Sequence, residues 1–165
     1  MKKKLTFTLI CIFIMQFMSC KHEDGINLDS KISLKAPSGV IIACSLDELI
    51  QFASATIEPS LKTNIKDMKI LAINYLPVKS GFAAIIEYTI NGVESNFAYV
   101  DYPKVAYSAT TLKSAKMPGI VPNRQQVSVS CAGTCGCRVE GMIKPDGTIT
   151  FGCSCTDCTA TISYP

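Results

Sequence analysis

Apolar residues dominate two segments, 82–90 and 93–99, which lie on either side of Asn91-Gly92 and include a few polar positions. An Asn-Gly pair between two such runs is the strongest short-range signal for a β-hairpin with a two-residue turn. This turn pairs Ile90 with Val93, and the register carries the apolar residues of both strands to one face. The polar residues gather on the opposite face: Glu87, Thr89, Glu94 and Asn96.

A helix is predicted before this hairpin, over residues 46–57. Apolar residues recur there at the spacing of one helical face. Ser45 and Glu48 form a capping box, in which the serine hydroxyl accepts from a free backbone N–H and the glutamate reaches back towards the N-cap. Pro59 follows and predicts that the helix stops before it.

Two further apolar segments, at residues 40–44 and 68–76, are expected to be strands. The helix should cover the apolar face of the hairpin and its neighbour, because that face must be buried. The sequence therefore predicts an α+β fold, with one helix packed on an antiparallel β-meander and a cysteine-rich β-hairpin at the C-terminus.

The C-terminal hairpin holds six of the nine cysteines, in two triplets on either side of Pro145-Asp146-Gly147. Proline followed by glycine two residues later favours a turn. If Lys144 pairs with Thr148, the strands on either side bring the two triplets together, with Cys137 opposite Cys155. The candidate site residues are Cys131, Cys135, Cys137, Cys153, Cys155 and Cys158.

Converging cysteines indicate either disulfides or a metal site. Disulfides would stabilise a hairpin too small to have its own core, although six cysteines allow 15 pairings and the sequence does not choose among them. Thiolates would instead bind Zn²⁺ or Cu(I), but the spacing offers only one C-x-x-C pair, Cys155 and Cys158. A third alternative is thiol–disulfide exchange at this same pair.

The N-terminus has the features of an export signal. Three lysines at positions 2–4 precede an apolar run over residues 5–18, which is too short for a membrane span. The run ends at Ser19-Cys20, and this small residue followed by cysteine resembles the cleavage motif of bacterial lipoproteins. The resemblance implies removal of residues 1–19, lipidation of Cys20 and attachment to the bacterial cell envelope. The charged residues 21–24 either resemble the signal that carries some lipoproteins across the outer membrane to the cell surface or are an ordinary solvated tether.

Removal of residues 1–19 changes the charge of the chain. The mature chain keeps 13 basic residues against 13 acidic ones, so its net charge is zero and we expect no nucleic-acid partner. Seven cysteines besides Cys20 remain, which is an odd number, and Cys44 is the predicted free thiol.

Five segments follow from these patterns. They are a signal peptide (1–19), a lipidated tether (20–37), an α+β domain (38–101), an irregular linker rich in proline (102–126) and the cysteine-rich hairpin (127–165).

The function predicted from these features is that of a lipid-anchored envelope protein with a binding or structural role. The single histidine, His22, lies in the predicted tether, so we expect no catalytic triad or Cys-His pair and no enzymatic activity. No cofactor is expected. The expected partners are the membrane, through the lipid, and a protein or glycan that the sequence does not identify. The alternative function is a module that binds Zn²⁺ or Cu(I) through thiolates.

Overall fold

The structure, a computed structural model, describes residues 31–61, 67–107 and 126–163. These residues form one helix and eight strands: α1 (Leu46–Leu61), β1 (Met68–Tyr75), β2 (Phe82–Ile90), β3 (Val93–Asp101), β4 (Val105–Tyr107), β5 (Val127–Ala132), β6 (Val139–Ile143), β7 (Ile149–Cys153) and β8 (Thr159–Ser163). Five strands form an antiparallel sheet in the order β1-β2-β3-β5-β8, and three form a second sheet in the order β4-β7-β6. The predicted α+β fold is confirmed.

The central hairpin has the predicted register. Ile90 pairs with Val93, and the pairing continues without a break to the ends of β2 and β3. Asn91 and Gly92 both have positive φ, at 53° and 79°, as a type I′ turn requires. An Asn-Gly turn has the same twist as the strands it joins, so two turn residues determine the register of eighteen strand residues.

The helix begins as predicted. The Ser45 hydroxyl accepts from the Glu48 backbone N–H at 3.1 Å, and the Glu48 carboxylate accepts from the Cys44 N–H at 2.6 Å. The predicted end at residue 57 is wrong, because α1 continues to Leu61. Pro59 lies near the end of the helix, and the helix extends two residues past it although a proline removes its N–H from the helical ladder.

Residues 40–44 do not form a strand, so that prediction is also wrong. Their backbone makes one isolated bridge, between Lys35 and Ile41, and the Ile42 N–H donates to the Leu34 carbonyl at 2.9 Å. Ile42 and Ala43 are nevertheless buried in the core. An apolar run can thus be buried as a loop when its backbone groups are satisfied locally.

The large sheet is covered on both faces. The helix packs on one face, where Ile86 and Phe97 are fully buried. The three-stranded sheet packs on the other, where Ala83, Ala98 and Val100 form a second core with Phe151. The hairpin therefore has two partly apolar faces, and the prediction of one polar face fails where the small sheet covers it.

The C-terminal strands belong to the same sheet as the central hairpin. β5 pairs with β3 through Phe97–Ser130 to Val100–Val127, and β8 pairs with β5. The large sheet therefore continues across the predicted linker. Within that linker, Val105–Tyr107 forms β4, which runs parallel to β7.

Candidate functional site

The six C-terminal cysteines form three disulfides. The pairs are Cys131–Cys153, Cys135–Cys155 and Cys137–Cys158, with Cα–Cα distances of 5.8, 6.7 and 5.7 Å. All six predicted residues are thus brought together. The first, second and third cysteines of one triplet are bonded to the first, second and third cysteines of the other.

The hairpin register predicted from Lys144 and Thr148 is confirmed, since the Lys144 N–H donates to the Thr148 carbonyl at 2.8 Å. The opposition of Cys137 and Cys155 does not follow from it, because regular pairing ends at Val139 and Cys153. Beyond Cys153 the chain turns, and the Cys158 N–H donates to the Cys155 carbonyl at 3.2 Å. This turn moves Cys158 inwards to bond Cys137.

The three disulfides differ in position. Cys131 lies on β5 of the large sheet and Cys153 on β7 of the small one, so their bond joins the two sheets. Cys137 and Cys158 are buried, whereas Cys135 is exposed. Each disulfide closes a separation of 20 to 22 residues. Closing a loop of this length stabilises a fold by about 3 kcal/mol in the chain-entropy description.

Gly133 makes the tight packing of the cluster possible. A Cβ atom at this position would lie 2.7 Å from the Cys137 sulfur and 2.6 Å from the Asp157 carbonyl oxygen. Both distances are too short for any side chain. The loop between β5 and β6 can approach the β7–β8 loop only because residue 133 has no side chain.

Four of the sulfurs also form a compact group of potential metal ligands. The sulfurs of Cys135, Cys137, Cys155 and Cys158 all lie within 4.8 Å of one another. Between sulfurs of different disulfides, Cys155 and Cys158 are 3.0 Å apart, Cys135 and Cys158 3.3 Å, and Cys135 and Cys137 3.8 Å. A tetrahedral Zn²⁺ site with Zn–S bonds of about 2.3 Å separates its sulfurs by about 3.8 Å. The same four residues could therefore bind a metal if both disulfides were reduced.

The C-x-x-C pair of the redox alternative is not bonded within itself. Cys155 and Cys158 are bonded to Cys135 and Cys137 instead. In the full chain of 165 residues the remaining cysteine of the body, Cys44, is disulfide-bonded, whereas the free thiol was predicted for the mature chain. The predicted lipidation site, Cys20, lies outside the described residues.

A polar network holds the cysteine hairpin on the large sheet. The Asn96 side chain donates to the Val139 carbonyl at 3.1 Å and accepts from the Val139 N–H at 2.6 Å. Arg138 forms an ion pair with Glu87 at 3.5 Å, and Asn74 donates to the same carboxylate at 3.2 Å. The sequence placed Glu87 and Asn96 on an exposed polar face. Asn96 is in fact buried, because the hairpin covers it.

An open cleft lies beside this network. Its volume is about 630 Å³, and it runs along the edge of β6, from Arg138 to Lys144, over the side chains of Asn74 and Glu87. Hydrogen-bonding side chains and exposed backbone thus border one concave surface. No local pattern in the sequence indicates this cleft, because it depends on how the small sheet is placed over the large one.

Few ionisable groups in the described ranges have shifted pKa values. Burial raises the pKa of Tyr75 and of Tyr99 to about 12, with the Asp101 and Glu48 carboxylates adding to the effect at Tyr99. A backbone hydrogen bond from Thr148 lowers the pKa of Asp146 in the hairpin turn. These shifts belong to packing and to the turn.

Comparisons with known proteins give no relative for this chain. No family model matches it, and no match is found among curated proteins or solved structures. Within the described ranges there is also no helix with the length and hydrophobicity of a membrane span.

Proposed function

We propose that this protein is a bacterial envelope lipoprotein anchored through Cys20, and that its disulfide-bonded domain has a binding or structural role. The observation that carries the proposal is the cluster of three disulfides between Cys131 and Cys158. Disulfides persist in oxidising compartments outside the cytoplasm, which agrees with an N-terminal export signal. The apolar run ending at Ser19-Cys20 supplies the anchor.

The proposed anchor places the protein on the outer membrane, with the charged residues 21–24 directing it to the cell surface. The domain then faces a protein or a glycan outside the cell. Its role is non-enzymatic, and a hairpin held by three disulfides suits this role because it presents a rigid surface at low conformational cost.

Metabolic labelling with a radioactive fatty acid tests the anchor. Label should enter the wild-type protein and the Cys11→Ala variant, because Cys11 leaves with the signal peptide. Label should be absent from the Cys20→Ala variant. Equal labelling of the wild type and Cys20→Ala would disprove the anchor, and protease treatment of intact cells then tests exposure of the labelled protein at the surface.

A second candidate function, binding of Zn²⁺ or Cu(I), is favoured by the four converging sulfurs. A cellular dithiol would first reduce the Cys135–Cys155 and Cys137–Cys158 disulfides, and the four thiols would lose their protons on binding the metal. The Cys131–Cys153 disulfide lies outside this group and would remain as a link between the sheets.

Two double variants separate a metal site from a set of purely structural disulfides. Replacing Cys137 and Cys158 with serine removes two of the four ligands, whereas replacing Cys131 and Cys153 removes none. After reduction and addition of Zn²⁺, native mass spectrometry should show one metal ion in the wild type and in the second variant only. A folded, reduced wild type that takes up no metal rules out this function.

A further inference from the structure

Within the described residues, β6 is one of the two edge strands of the three-stranded sheet, the other being β4. Some backbone groups of β6 point towards β7 and the others point away from it. Two hydrogen bonds show which residues face β7: the Lys144 N–H donates to the Thr148 carbonyl at 2.8 Å, and the Ser154 N–H donates to the Arg138 carbonyl at 2.9 Å. Hydrogen-bonded and non-bonded pairs alternate along an antiparallel ladder. The even-numbered residues from 138 to 144 therefore bond to β7, and the odd-numbered residues direct their N–H and C=O groups to the free edge.

Val139 confirms this division, because its N–H and C=O both bond to the Asn96 side chain and not to β7. The amide of Asn96 thus occupies the first position of the free edge, as a strand would. Gly141 and Ile143 provide the next two outward N–H and C=O pairs. Within the described residues these groups have no hydrogen-bond partner on that side. Among the described residues, the outward backbone groups of Gly141 and Ile143 are thus left for a further strand, next to Val139, which already bonds to Asn96.

The cleft supplies the space that an added strand would need. It lies along β6, and Thr150 and Gly152 of β7 also line it. Its floor is formed by Asn74, Ile85 and Glu87, on the face of the large sheet that packs against the small one. Neighbouring strands lie about 4.8 Å apart, so a chain paired with β6 would lie within the cleft, above these side chains. The backbone of the added strand would form hydrogen bonds with β6. The side chains that point towards the large sheet would contact the partly polar floor of the cleft.

The side chains of β6 indicate the charge pattern of the occupant. Glu140, Met142 and Lys144 alternate along the outer face of the strand and are exposed, Met142 by 69%. Opposite charges placed across neighbouring strands attract, and like charges repel. An antiparallel strand therefore fits best with an acidic residue opposite Lys144, an apolar residue opposite Met142 and a basic residue opposite Glu140.

We propose that the edge of β6 binds an extended polypeptide of the pattern acidic–x–apolar–x–basic, by addition of an antiparallel strand. This mode takes its affinity from backbone hydrogen bonds and its specificity from alternate side chains. The inference names a partner class for the proposed binding role. It does not depend on the lipid, so its test and the labelling test fail separately.

A fluorescent peptide, Thr-Glu-Val-Leu-Val-Lys-Thr, tests the proposal by anisotropy titration with the purified full-length protein in mild detergent. Its leucine would lie opposite Met142, and its two valines opposite Ile143 and Gly141. Saturable binding is expected. Exchanging the glutamate and lysine of the peptide should weaken binding about tenfold, because both charge pairs become repulsive.

N-methylated peptides test the backbone pairing. Methylation of both valines removes the N–H groups that would donate to Ile143 and Gly141, and should abolish binding. Methylation of the leucine removes an N–H that points away from β6, and should leave binding within about twofold. Equal effects of the two modifications would exclude strand addition in this register.

The protein variant Glu140→Lys/Lys144→Glu completes the test. Both side chains are exposed, so the fold should be retained, as circular dichroism would verify. This variant should prefer the charge-exchanged peptide by about tenfold, reversing the preference of the wild type. The proposal is overturned if no peptide binds at 1 mM, or if the variant keeps the wild-type preference.

Discussion

The amide of Asn96 takes the place of a strand beside Val139. It bonds both the N–H and the C=O of that residue, at 2.6 and 3.1 Å, although Asn96 belongs to the large sheet and Val139 to the small one. Asn96 is 5% exposed and Val139 2%. Buried backbone groups need partners, so this single side chain removes the penalty of burying the start of β6.

Replacement of Asn96 by alanine should therefore destabilise the fold strongly. Two buried backbone groups lose their partners, each at a cost of about 1–3 kcal/mol. We expect a loss of about 2–5 kcal/mol in the free energy of unfolding, measured by urea denaturation. Glu94→Ala is the matched control, since Glu94 is exposed on the same strand and face, and should change stability by less than about 0.5 kcal/mol. Similar losses in both variants would contradict this account.

The central hairpin shows what the sequence could predict. Asn91-Gly92 is a local signal, and the register of β2 and β3 follows from it without knowledge of any other segment. The capping box of Ser45 and Glu48 is local in the same sense. Both predictions are confirmed because the physical cause lies within a few residues of the effect.

The small sheet shows why the rest could not be predicted. From the sequence, Asn96 is predicted to lie on an exposed polar face. In the structure it is buried beneath Val139, which lies 43 residues further along the chain. The disulfide pairing is likewise decided by the turn after Cys153 and not by the strand register. Such features depend on how two sheets pack, which no local pattern determines.

A methyl group at Gly133 should disturb the cysteine cluster. The added Cβ of Gly133→Ala would meet the Asp157 backbone and the Cys137 sulfur at under 3 Å, so the two loops must move apart. We expect a lower yield of the native disulfide pattern after oxidative refolding, measured by peptide mapping under non-reducing conditions. The neighbouring variant Thr134→Ala, at an exposed position, should refold with the wild-type yield. Native pairing at full yield in Gly133→Ala would show that the loops are free to separate.

Loss of the helix cap at Ser45 should lower stability by less than replacement of Asn96 does. Ser45→Ala removes the acceptor of the Glu48 N–H and should cost about 1 kcal/mol. Thermal unfolding followed by circular dichroism measures the change. Gln51→Ala, at an exposed position within α1, serves as the control and should be neutral or slightly stabilising, because alanine favours helices. An unchanged melting temperature in Ser45→Ala would mean that water replaces the serine hydroxyl without cost.

Two tyrosines, the buried Tyr99 and the half-buried Tyr75, should make the fold sensitive to alkaline pH. The Tyr99 hydroxyl donates to Gln126 and the Tyr75 hydroxyl to the Ser33 carbonyl, both at 2.7 Å. Burial raises both pKa values to about 12, above the value of 10.0 that an unfolded chain has. The folded state thus holds these protons where the unfolded state releases them. Their contribution to stability is complete below pH 10 and is lost as the pH rises from 10 through 12.

Urea midpoints measured between pH 8 and 12 test this dependence. The wild type should lose stability steeply above pH 10, whereas the Tyr75→Phe/Tyr99→Phe variant should start lower and fall less steeply, because it has neither phenol to ionise. Absorbance at 295 nm should show the same two phenols ionising with pKa values near 12 in the folded protein. Parallel stability curves for the two proteins would assign the alkaline loss to other groups, since removal of the tyrosines must flatten the curve if their protons cause it.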